Sequence, residues 1–131
     1  MFEIHYLKHI PALIVASTMT FGGLWPFFNA KTALLEFGFP RRIAAAPAAA
    51  PVFMVGNART TVIGLLTFYF YSRYQFEVVD TIMAIAGAYC GVIDSYAVWR
   101  EGNSRKAAFR LASSGFLSAC GFWGLTTSAL T

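Results

Sequence analysis

Four stretches of the chain stay apolar for about 20 residues, the length at which a helix crosses the hydrocarbon core of a bilayer. They run from about His9 to Phe28, Pro51 to Tyr71, Val78 to Trp99 and Ala107 to Leu125. Polar and turn-forming residues separate them, most clearly in "EGNSRK" before the fourth. No alternating strand pattern of comparable length occurs, and no internal repeat is visible. Between the first two spans, Asn29 is placed to cap a short helix, "AKTALLEF", which Gly38 and Pro40 would end. Leu34, Leu35 and Phe37 give that helix one apolar side, so it is expected at the membrane interface. The pattern predicts an all-α integral membrane protein. It is one domain over 1–131, a bundle of four transmembrane helices with a short interfacial helix between spans one and two. Lys8 ahead of an apolar run, with "VAS" inside it, also resembles a cleavable leader. The run continues through "FGGLWPFF", longer than a leader's apolar region, so a retained span is expected.

Composition agrees. Apolar residues make up 57% and charged residues 12%, where soluble domains average about 45–50% and about 25%. So little charge cannot cover a water-facing surface. The net charge of +4 does not point to nucleic acid, because no basic stripe with interleaved aromatics accompanies it. Topology explains it better. Lys31, Arg41 and Arg42 fall after span one, and Arg100, Arg105, Lys106 and Arg110 fall around the turn before span four. In a four-span arrangement these share one side, and only Lys8 and Arg73 lie on the other. By the positive-inside rule the basic side is cytoplasmic. Both termini are then lumenal, in the endoplasmic reticulum or another intracellular membrane. Trp25, Tyr71 and Trp99 sit near span ends, as interfacial aromatics do. Small-residue faces leave room for a homo-oligomer. Cys90 and Cys120 have neither metal-site nor redox spacing and read as packing residues.

The candidate chemistry begins with "MVGNARTTVIG", where Arg59 lies in the middle of an apolar run. An intramembrane charge is costly, so its partner has to be named. Arg59 is eight residues past Pro51, about 12 Å deep, and Asp94 is six residues before Arg100, about 9 Å deep. Antiparallel neighbouring spans would bring the two together. Such a pair is either a functional site or an ion pair that fixes helix register. Because desolvation cancels much of a buried pair's attraction, the functional reading is favoured. Asp80, Gly87, Asp94 and Glu101 recur every seven residues and form one slowly drifting stripe. Gly87 and Gly91 form a G-x-x-x-G that turns this stripe toward a neighbouring helix. Glu36 and Glu101 are candidates for a second carboxyl. Asn57, Tyr89, Tyr96 and Trp25 are candidate substrate contacts. Asn57 is also grouped with Thr60, Thr61 and Gly64 as a packing face, and Arg110 reads as snorkelling to the surface. His5 and His9 have no further ligands around them, so no metal is expected. No nucleotide or dinucleotide fingerprint occurs, and no cofactor is expected.

The stretches "GNARTTVIGLL", "GVIDSYAVWREG" and "EFGFPRRIAAAP" resemble a family of small four-span fungal membrane proteins. The resemblance covers about residues 30–127. Some members look similar to the small membrane hydrolase of aurovertin- and citreoviridin-type polyketide pathways, in which a flavin monooxygenase installs epoxides on a polyene and the hydrolase opens them to cyclic ethers. The resemblance implies a membrane-embedded epoxide hydrolase or cyclase acting on a lipophilic polyene in secondary metabolism. The residues suit that chemistry independently. Asp94 would be the base, Arg59 its orienter and charge stabiliser, and Glu36 or Glu101 the second acid. Two other classes stay open: a terpenoid or polyene cyclase or isomerase that adds no water, and a non-enzymatic accessory protein or carrier with a structural Arg–Asp pair.

Overall fold

The computed structural model describes residues 2–130, with side chains from Tyr6 onward. Seven helices follow one another: α1 (Phe2–Gly22), α2 (Trp25–Phe37), α3 (Arg41–Ala44), α4 (Ala49–Ser72), α5 (Phe76–Arg100), α6 (Ser104–Phe122) and α7 (Leu125–Ser128). No strand occurs among the described residues. Two helices, α4 and α5, are long and apolar enough to cross a bilayer, and a third qualifies when α1 is taken together with α2.

The first span was expected to continue to about Phe28. Instead α1 ends at Gly22, and α2 leaves at 100° to it. Gly22 and Gly23 lower the cost of breaking the helix, and Pro26 restarts it within the first turn. The expected short helix forms inside α2. The backbone of Asn29 is non-helical, and its Oδ1 accepts the Thr32 N–H at 3.0 Å. Gly38 ends the helix at φ +121°, and the N–H groups of Gly38 and Phe39 close onto Leu34 O.

Two helix pairs make the bundle, and both are joined by close backbone approach. Helix α4 packs most extensively on α1, where Gly64 abuts the Thr20 backbone and Thr61 Oγ1 donates to Thr20 O at 3.2 Å. Helix α5 packs most extensively on α6. There Gly87 and Gly91 receive Ser118 and Ser114, and Ser118 Oγ donates to Ala84 O at 2.7 Å. The G-x-x-x-G thus faces a neighbouring helix, as expected. Direct packing of α4 on α5 is slight by comparison. The two pairs meet in a core of Ala12, Val15, Val79, Met83 and Cys120.

Helix α6 carries three basic residues and four serines, which lowers its hydropathy. Its small polar residues nevertheless face α5, and Phe109, Leu111, Phe116 and Phe122 are exposed. This is the reverse of a water-soluble helix and suits an apolar surrounding.

Candidate functional site

A cavity lies where α2, α3, α4 and α5 converge. Its volume is about 380 Å³, within the range of small-molecule sites. Its walls are largely apolar, with Leu34, Phe37, Val52 and Phe53 among them. Three polar side chains reach it: Asp94 from α5, and Asn57 and Thr60 from α4. Gly56 also lines it, and an added Cβ there would meet nothing within 4 Å. The short α3 forms part of the lining because Pro40 and Ala45 confine it to one turn between Gly38 and α4.

Asp94 is half-buried, and its carboxylate makes no hydrogen bond or contact ion pair among the described residues. Asn57 donates to its own helix at Phe53 O, 2.9 Å away, and Thr60 carries a hydroxyl without a protein partner. The cation coupled to Asp94 is Arg110, from α6. Arg110 is fixed from the other side: its Nε donates to Phe37 O at 2.8 Å, and its guanidinium stacks 3.5 Å above the Phe37 ring. Asp94 thus lines the cavity, while Arg110 stacks on Phe37, itself a lining residue, and acts on Asp94 through its charge without a contact ion pair.

The expected Arg59–Asp94 pair does not form. Arg59 is exposed, and its Nη1 donates to Val55 O in its own helix at 2.9 Å. Asp94 instead shares a cavity with Asn57 and Gly56 of α4, and Arg59 is outside its lining. Glu36 and Glu101 are not in the cavity lining either. Lys106 Nζ donates to Glu36 Oε1 at 3.1 Å and to Glu36 O at 3.2 Å, and Arg42 pairs with Glu101. With Asn103 Nδ2 on Gly38 O at 3.3 Å, these bonds stitch residues 36–42 to the α5–α6 turn and hold the roof of the cavity. Among the expected substrate contacts, Asn57 lines the cavity. Tyr89, Tyr96 and Trp25 are 70%, 53% and 41% exposed and lie outside its lining. Tyr96 accepts from Arg100 Nη1 at 3.3 Å. Side-chain period alone put these tyrosines in the bundle, but the small residues of α5 already fill its seam with α6.

The model of a domain of unknown function, DUF4267, matches residues 16–124. The chain belongs to this family. No curated protein and no solved structure matches it significantly. The DUF4267 match runs from the last third of α1 through the end of α6, so every wall of the cavity lies within the family's shared region.

Within this DUF4267 chain, Arg110 was the residue that sequence reasoning set aside. A signal for it exists. Asp94 and Arg110 each lie eight residues from Gly102, the centre of the α5–α6 turn. In an antiparallel helical hairpin, residues at nearly equal distance from the turn face each other, as the Gly87–Ser118 and Gly91–Ser114 contacts show to within one residue. His9, at the opposite end, packs edge-on against Tyr71 and Phe76 at 5.5 and 5.4 Å. The side chain of His5 lies outside the described residues. No group of three metal-ligating side chains occurs among the described residues.

Proposed function

We propose that the cavity binds a lipophilic small molecule and opens an epoxide on it by acid–base catalysis. The observation that carries the reading is Asp94, a carboxylate with no hydrogen bond among the described residues, on an apolar cavity whose lining residue Phe37 holds the Arg110 guanidinium. Asp94 accepts a proton from water or from a substrate hydroxyl. The oxygen so activated bonds to one epoxide carbon as that carbon's bond to the epoxide oxygen breaks. The alkoxide that develops is stabilised by the Arg110 charge and takes its proton back from Asp94 or from solvent. Attack by water gives a diol, and attack by a hydroxyl gives a cyclic ether. Asn57 and Thr60 supply hydrogen bonds that orient the substrate.

The membrane setting is read in the same terms. Helices α1, α4, α5 and α6 serve as four spans, and the end carrying α2, α3 and the α5–α6 turn faces the cytoplasm by its charge. A polyene then enters from the bilayer and meets Asp94 near the headgroup level, where water is available. An intracellular membrane such as the endoplasmic reticulum suits this, as does membership of the fungal group that the sequence resembles.

Purified protein in detergent, supplied with a polyene epoxide, tests the proposal. Asp94→Asn and Arg110→Gln are each expected to lower turnover by about 10²-fold or more. Heavy-oxygen water should label a diol and leave a cyclic ether unlabelled. Full turnover by a folded Asp94→Asn protein would overturn the assignment. A wild-type protein that converts no epoxide would favour a carrier or accessory role.

A further inference from the structure

Seven of the ten lysines and arginines belong to α2, α3, the last residue of α5 and the first two turns of α6, which flank the hairpin turn. The hydrogen bonds that stitch residues 36–42 to the turn bring these segments to one end of the molecule. Three of the seven are engaged there: Arg42 with Glu101, Lys106 with Glu36, and Arg110 with Phe37 and Asp94. Lys31, Arg41, Arg100 and Arg105 are left exposed, with no carboxylate partner among the described residues. Both glutamates at this end are already paired, so the surplus charge has no counter-charge within the chain.

Phe28, Trp99 and Phe109, between 59% and 86% exposed, lie beside these cations in sequence and on the same helices. A surface that alternates exposed guanidinium groups with exposed aromatic rings suits a bilayer boundary. A soluble acidic protein would meet those rings as a desolvation cost, whereas a phospholipid covers rings and cations at once. Arginine also pairs bidentately with phosphate oxygens. Arg105 lies in the first turn of α6, where free N–H groups add to the attraction for an anion.

We propose that this end is a binding surface for anionic phospholipid headgroups, with Arg41, Arg100 and Arg105 as the principal contacts. The proposal is independent of the chemistry assigned to the cavity. It gives the surplus cations a partner in addition to the orienting role that charge asymmetry has during insertion. Lipid composition would then tune stability and the seating of α2 and α3 over the cavity.

Native mass spectrometry of the protein in an uncharged detergent, titrated with phosphatidylserine or phosphatidylcholine, reads the preference directly. At least about tenfold tighter binding of phosphatidylserine is expected, falling as NaCl rises from about 0.05 to 0.5 M. The triple variant Arg41→Gln, Arg100→Gln, Arg105→Gln should lose the preference, and Arg73→Gln, at the far end, should keep it. Arg105→Gln alone should lower phosphatidylserine affinity about fivefold, which keeps the test decisive if the triple variant does not fold. Equal binding of the two lipids, or an undiminished preference in Arg105→Gln, would overturn the proposal. So would displacement of the lipid by millimolar glycerol phosphate or by an acidic peptide, since the surface would then be a phosphate or protein site.

Discussion

Helix α5 carries two aspartates fourteen residues apart on one stripe, and they live in opposite circumstances. Asp80 is 4% exposed and fully engaged. Its Oδ1 accepts the Thr126 N–H at 3.1 Å, and its Oδ2 accepts the Thr127 N–H at 2.8 Å and the Thr127 hydroxyl at 2.6 Å. It thereby caps the short α7 and ties the chain's end to the bundle. Asp94 is half-buried, accepts none of these bonds and borders a cavity. An ionisable residue in an apolar span is thus not sufficient to mark a site. The donors already committed to it decide whether it builds the fold or is free to act on something else.

Replacing the two aspartates is the most forceful way to break this distinction. Asp80→Ala leaves two N–H groups and a hydroxyl without their acceptor inside the protein. Hydrogen bonds to a charged group contribute roughly 1.5–3 kcal/mol each, so a loss of about 3 kcal/mol or more is expected. Denaturant unfolding in mixed micelles, followed by helical circular dichroism, measures it. Asp94→Ala removes a carboxylate that no donor satisfies, so the unfolding midpoint should stay where it is or rise. An equal loss in both variants would mean that Asp94, too, is a structural residue.

The glycines extend the contrast from charge to packing. A methyl group at Gly121 would run into the backbone of Asp80 and Ala84, which rigid helices cannot move aside. Gly121→Ala should cost about 2 kcal/mol, within the range for overpacking. At Gly56 the same methyl meets open space. Gly56→Ala should therefore raise stability, by up to about 1 kcal/mol from helix propensity, while narrowing the cavity and weakening substrate binding. If both alanines cost the same, the cavity would have to be closed in the working protein.

A smaller change probes Asp80 alone. Thr127→Val removes one of its three donors and keeps the side-chain shape. A loss of about 1 kcal/mol is expected in the same unfolding experiment. No effect would show that the two backbone donors suffice to hold the cap.

Much of this was legible in the sequence, because it depends on local rules. The Asn29 cap, the Gly38 stop and the Gly87–Gly91 seam all follow from spacing along one helix. What failed was the inference between helices. Consecutive spans suggest α4 and α5 as packing partners, yet α4 turns to α1 and α5 to α6. Rotation about a helix axis is set by the small residues at each seam, and Gly87 and Gly91 turn α5 to Ser118 and Ser114 of α6. Arg110 of α6 therefore acts on Asp94, and Arg59 stays outside the cavity lining. The break at Gly22 was written in adjacent glycines but hidden by the unbroken apolar run around them.

The smallest expected effect belongs to Arg59, the residue that first looked most important. Gly23, at the bend between α1 and α2, abuts α4 at Asn57 and Thr61. The bend therefore lies at the level of Arg59, and Trp25 is exposed beside it. Above this level α4 is flanked by α2 and α3 rather than by α1. In the four-span arrangement proposed above, a long guanidinium side chain there reaches the headgroup region, and its charge needs no buried acid. Arg59→Gln should thus leave the unfolding midpoint and epoxide turnover unchanged, while Arg110→Gln lowers turnover by about 10²-fold. A matching loss of turnover in Arg59→Gln, with helix content intact, would return Arg59 to the site. It would also require α4 to rotate during catalysis, because in the present arrangement its guanidinium faces away from the cavity toward Val55 O.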